Sequence, residues 1–206
     1  MKKLVLFTLI MALCMSFSTS ALASIPQNGG EYKNKTQAIY SQKFTDVTPN
    51  HWAFNYISEM VERSILSGYP DGGFYPGKTI TRAEFSKTMC LAANLPVTPV
   101  DTTTYVDVAP NAWYAPFVEC GKYYLSGYIS NEEKYYLPQD NALREDIAVA
   151  LVKLKGYDTS NYDESILKAK FTDWQSISED SRKYVFAAIE NELISGYEVF
   201  ESLIFV

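Results

Sequence analysis

Trp52, Tyr56, Ile57, Met60, Val61 and Ile65 fall at an i, i+4, i+5, i+8 spacing with polar residues between them, the apolar stripe of an amphipathic helix. Gly68 follows where a C-terminal cap is expected. Pro70-Asp71-Gly72-Gly73 then supplies a turn and Phe74-Tyr75-Pro76 an extended piece. Ile80 to Ala93 reads as a second helix, with Phe85, Met89 and Ala92 on one side. The unit is helix, loop, helix, and it recurs. A second copy predicts helices from Trp113 to Leu125 and from Ala142 to Lys155, with Asn131-Glu132-Glu133-Lys134 replacing the Asp-Gly-Gly turn. In a third copy Tyr184, Val185, Ala188, Ile189 and Leu193 align with Tyr56, Ile57, Met60, Val61 and Ile65.

Punctuation repeats with the stripes. Asp46, Asp107 and Asp173 each follow an aromatic-x pair and recur at about a 60-residue period, the mark of stacked supersecondary units. Ser67-Gly68-Tyr69, Ser126-Gly127-Tyr128 and Ser195-Gly196-Tyr197 recur behind them. The expected fold is mainly α: tandem helix-loop-helix repeats whose three first helices pack on one another by their stripes. Copy three departs from the pattern. Asp180 stands where copy one has Trp52, and after Tyr197 only Glu198 to Val206 remain, too few for a second helix. That apolar tail reads as having left the pattern, as in a frameshifted or truncated product or a divergent short form. A missing second helix would leave at most two arginine sites and one exposed apolar face.

Charge and the chain ends narrow the setting. Lys2-Lys3, the apolar run Leu4 to Met15 and Ala21-Leu22-Ala23 form a signal peptide over 1–23, and 24–43 reads as a polar linker. The repeats then occupy 44–98, 99–160 and a truncated 161–206. The apolar core is short for a membrane span, so no insertion is expected after cleavage. Export is expected, and the Ala-x-Ala site competes with lipidation at Cys14. Losing 1–23 removes two lysines and no acids, so the charge of −6 becomes −8, which argues against nucleic acid and anionic membranes as partners. Cys90 and Cys120 remain, on helices of neighbouring repeats; the sequence leaves open whether they pair.

The sharpest chemistry lies in Thr81-Arg82-Ala83-Glu84. Thr81 and Glu84 make a capping box, which explains every residue of the motif that needs explaining except Arg82. A cation in the first turn opposes the helix dipole, and copy two keeps Arg144 there while Leu143 and Asp146 weaken the box. An anion near each arginine is therefore expected, held by guanidinium and helix N-terminus together. Trp52 and Trp113 offer faces for sugar stacking or for core packing, and Asp46, Asp107 and Asp173 are read as structural caps of the turn before each first helix. No metal or other cofactor is expected, because no Cys/His/Asp cluster has ligand spacing. No enzyme is expected either, since the acids fall at cap positions and His51 neighbours no nucleophile.

At these residues the chain resembles the S-layer homology family over roughly 44–197: FxDV, a Trp before the first helix, SGYPDGGFYP and ITRAEF in copy one carry the resemblance. The resemblance implies a pseudo-threefold arrangement of three motifs, with grooves that bind the secondary cell-wall polysaccharide attached to peptidoglycan, often through a pyruvylated sugar. It further implies that Arg82 and Arg144 clamp the pyruvate carboxylate while Trp52, Trp113, Gly68, Gly127, Tyr69 and Tyr128 line groove walls. Lys78 could add charge near the first site or stay solvated. The expected role is then non-covalent anchoring at the cell wall or S-layer. The competing reading is a structural, self-associating helical surface protein whose arginines pair with the chain's own acids, or a remnant of a larger anchored protein.

Overall fold

The structure, a computed structural model, describes residues 44–199 and 202–205; the expected signal peptide, Cys14 and the 24–43 arm lie outside the described residues. Two compact units divide the chain, one ending at Thr79 and the other beginning at Ile80, so the division falls inside copy one, between its loop and its second helix.

In the first unit, α1 (Phe54–Glu62) buries Ile57, Met60 and Val61 of the expected stripe together with Phe54, while Tyr56 is half-buried and Trp52 exposed. Phe44, Val47, Ala53 and Phe74 complete this core. The helix stops at Arg63, and Ser64 takes the left-handed turn at φ 59°, with Ile65 N–H donating back to Met60 O at 2.9 Å. Gly68 is therefore not the cap that the sequence suggests. It has φ +72°, and a Cβ there would run into the Phe44 ring, so both backbone angle and close approach require glycine.

The second unit holds the remaining elements: α2 (Arg82–Ala92), α3 (Ala115–Gly121), β1 (Tyr128–Ser130), β2 (Glu133–Tyr135), α4 (Arg144–Lys155), α5 (Glu164–Lys170), a 3-10 turn (Trp174–Ser176), α6 (Glu179–Glu190), β3 (Tyr197–Val199) and β4 (Ser202–Ile204). The described chain is mainly α. The strongest helix pairings are α4 with α6 and α2 with α3, which join the second helix of one copy to the first helix of the next. First-helix-on-first-helix packing, the sequence expectation, is not the dominant contact within this unit. Glu145, in the first turn of α4, reinforces the joint by accepting the backbone N–H of Ser178, the N-cap of α6, at 2.7 Å.

Where copy one has its Asp-Gly-Gly turn, copy two has an antiparallel hairpin pairing Tyr128 with Tyr135, and Asn131 and Glu132 supply the two positive φ angles of its two-residue turn. Copy three builds the same hairpin, Tyr197 opposite Ile204. The tail has therefore kept the pattern. Phe205 stands where Phe74 and Tyr136 stand, is buried, and packs its ring 5.8 Å from Phe171, as Phe74 does on Phe44 and Tyr136 on Tyr105, each at 5.2 Å. Residue identity had hidden the correspondence that backbone pairing reveals. Helix α5, between copies two and three, has no counterpart in the sequence expectation; Asp163 caps it by accepting the Ser165 N–H at 2.9 Å.

Local caps explain where α2 and α4 begin. Thr81 Oγ1 accepts the Glu84 N–H at 3.2 Å and Glu84 Oε2 accepts the Thr81 N–H at 2.9 Å, the full capping box. At α4 only the return half exists: Asp146 Oδ2 accepts the Leu143 N–H at 3.0 Å, and leucine has no oxygen to offer. Thr81→Ala is thus expected to cost about 1 kcal/mol, and Leu143→Thr, at a half-exposed position, to gain about 0.5–1 kcal/mol. Urea unfolding of the two variants checks both signs.

Candidate functional site

Each anchor aspartate clasps its own repeat shut. Asp46 accepts the backbone N–H groups of Phe74 at 2.8 Å and Tyr75 at 2.6 Å. Asp107 does the same for Tyr136 at 2.8 Å and Leu137 at 2.7 Å, and Asp173 takes Phe205 N–H at 2.8 and 2.9 Å. These bonds cross 28 to 32 residues, so the aspartates pin the extended piece after the loop. The glycines support the same clasp, since a Cβ at Gly68, Gly127 or Gly196 would strike the ring of Phe44, Tyr105 or Phe171.

Arg82 opens α2 yet is only 1% exposed. Its Nε donates to Tyr136 O at 2.8 Å, its Nη2 to Ser126 O at 2.7 Å, and its Nη1 to Asp146 Oδ2 at 2.7 Å and Tyr128 OH at 3.4 Å. The guanidinium lies between the Tyr128 and Tyr136 rings, 4.9 and 5.0 Å from their centroids. Burial pushes the Tyr136 and Tyr128 hydroxyls above the usual tyrosine range, so both remain neutral partners. The expected anion beside this arginine is Asp146, supplied by the next copy's second helix.

Arg144 repeats the arrangement one copy later. Nη1 donates to Tyr197 OH at 2.6 Å and Nη2 to Ser195 O, and the guanidinium sits 4.5 Å from the Tyr197 centroid and 5.4 Å from that of Phe205. Each arginine therefore reads the Ser-Gly-Tyr step of the following copy, a relation between two visible motifs that the sequence reading did not draw. The sites differ in charge. Arg144 is buried, but no carboxylate pairs with it among the described residues, and its Nε has no hydrogen-bond partner. Burial accordingly depresses its pKa, partly offset by Tyr197.

The aromatic candidates separate by exposure. Trp52 and Trp113, at equivalent positions just before α1 and α3, are 46% and 54% exposed, which is not core packing. Lys87 Nζ stands 5.8 Å from the Trp113 ring. Tyr128 presents 43% of its surface while its hydroxyl faces Arg82. In the first unit Tyr69 is covered by Lys78, whose Nζ lies 4.4 Å from the ring centroid. Copy three supplies a different tryptophan: Trp174 lies between Lys168 and Arg182 at 4.6 and 4.8 Å. Among the described residues no three His, Cys, Asp or Glu side chains gather as metal ligands, and no helix is long and apolar enough to cross a membrane.

Residues 43–86 match the model of the S-layer homology domain. The chain is 30% identical over 156 residues to exoglucanase XynX of Acetivibrio thermocellus, covering 76% of this chain and 14% of that one. It is 30% identical over 122 residues to an S-layer protein of Bacillus thuringiensis subsp. finitimus (59% and 15%), and 31% identical over 128 residues to a cellulosome-anchoring protein of Acetivibrio thermocellus (60% and 28%). The chain thus spans under a third of the length of each of these relatives. Residues 43–86 thus carry an S-layer homology domain, and the likeness to S-layer and anchoring proteins runs on over about 60% of the chain.

Proposed function

We propose that this exported cell-surface protein binds the secondary cell-wall polysaccharide attached to peptidoglycan, without a covalent bond, through the aromatic faces of Trp52 and Trp113 and the guanidinium of Arg144. Anchoring surface proteins to the wall is the coarse role of the domain it carries. The observation that carries the finer reading is the pair of half-exposed tryptophans at one repeat position, because a large aromatic side chain about half exposed at equivalent places suits a sugar ring. Arg144 adds a buried cation with an unpaired Nε and no carboxylate partner among the described residues, suited to the acid of a pyruvylated sugar. Arg82 enters this proposal as the neighbour that shapes Tyr128 and Gly127, since its own donors already face inward. Gly68 and Tyr69 are kept as wall elements of the first unit.

Binding of the chain to peptidoglycan sacculi with the wall polymer intact, beside stripped sacculi, tests this. Retention on intact sacculi alone is expected, with the Trp52→Ala, Trp113→Ala double variant at least about tenfold weaker at unchanged helicity and Arg144→Gln intermediate. Equal binding by all three would remove the mechanism. The second reading, a self-associating helical surface protein, is favoured by one observation: the Arg82–Asp146 pair is internal. It predicts a concentration-dependent oligomer with no preference between the two kinds of sacculi.

A further inference from the structure

Cys90 on α2 and Cys120 on α3 are the cysteines among the described residues, and both are free thiols. They belong to different sequence copies, yet α2 and α3 pack together and seat Cys90 against the Phe117–Gly121 turn of α3 that carries Cys120. Cys90 is fully buried, donates to Phe117 O at 3.4 Å, and its Sγ lies 3.3 Å from where a Cβ on Gly121, the neighbour of Cys120, would stand. Cys120 is partly exposed. Two thiols on one packed pair of helices, one sealed and one reachable, in a protein delivered outside the cytoplasm have the placement of a dithiol that closes after export.

We propose that Cys90 and Cys120 form an intramolecular disulfide, made by exchange with a disulfide oxidant outside the cytoplasm. Cys120, the accessible sulfur, attacks the oxidant as thiolate and releases one of its sulfurs as a thiol. Cys90 then loses its proton and attacks Cys120 Sγ, expelling the second thiol. The two cysteines are oxidised by two electrons, the oxidant's disulfide is reduced to two thiols, and the two protons pass to them. Burial raises the Cys90 thiol pKa, so the first attack falls to the accessible Cys120. The bridge fastens α2, which carries Arg82, to α3, which begins two residues after Trp113, a proposed sugar contact.

The test incubates the folded full chain with oxidised glutathione and follows it by intact mass and non-reducing peptide mapping. The expected result is a monomer lighter by two hydrogens, a Cys90–Cys120 linked peptide, and a melting midpoint raised by roughly 5 °C that falls back on reduction. Cys120→Ser, checked for helicity, is expected to give neither bridge nor shift. A persistent glutathione adduct on Cys120, a disulfide-linked dimer, or two thiols still alkylatable after incubation would each overturn the proposal.

Discussion

Arg82→Ala is expected to lower the unfolding free energy by about 3–5 kcal/mol, the scale for removing one partner of a buried ion pair. The substitution strands more than a charge. Asp146, only 15% exposed, loses its counterion, and the Ser126 and Tyr136 carbonyls lose their donors inside a closed joint. Lysine should rescue little, because one ammonium does not reproduce donors directed at four separate oxygens. Arg144→Ala supplies the internal comparison. Its guanidinium strands no carboxylate among the described residues and leaves its Nε unpaired, so a cost below about 2 kcal/mol is expected. Urea unfolding followed by far-UV circular dichroism ranks the two. Equal costs would mean that the Asp146 pair contributes no net stability.

The second large effect is steric. Gly127→Ala places a Cβ against the Tyr135 carbonyl oxygen and 2.5 Å from Tyr105 Cε1, so either the hairpin or the clasped ring must move. A loss of about 3 kcal/mol or more is expected. Gly156→Ala is the control, since nothing lies within 4 Å of the added atom and only its φ of +65° opposes the change, worth about 1 kcal/mol. Melting midpoints of the two variants distinguish collision from backbone preference. If Gly156→Ala proved the worse of the two, close approach at the Ser-Gly-Tyr step would not be the reason for its glycine.

Features closed within a helical turn or two were legible in the sequence. The stripe members Ile57, Met60 and Val61 and the reciprocal bonds of Thr81 and Glu84 depend on residues three or four apart, and their spacing alone implies them. The expectation of an anion at Arg82 also followed from a local rule, the sign of the helix dipole. Its source did not, because Asp146 lies 64 residues on and its other bond, to Leu143, already accounts for it as a cap. The tail was misread for a related reason. Phe205 differs in identity from Tyr136, and what makes them equivalent is a backbone N–H clasped by Asp173, a partner 32 residues away. Gly68 looked like a helix cap because composition cannot distinguish a glycine chosen for its angle alone from one also chosen for the ring pressed on it.

The two classes of long-range bond also imply an order of assembly. An aspartate clasp closes a loop of about 30 residues within one repeat, while an arginine joint closes loops of 44 to 64 residues and needs the next hairpin already built to offer its carbonyls. Chain entropy separates them little, since doubling a loop costs only about 0.6 kcal/mol. Prerequisite structure is expected to separate them more, because Ser126 O and Tyr136 O flank the hairpin that Asp107 holds in place beside Arg82. Repeats therefore close first and are latched to one another afterwards, so the arginine joints act chiefly as a brake on unfolding and contribute little to the rate of folding.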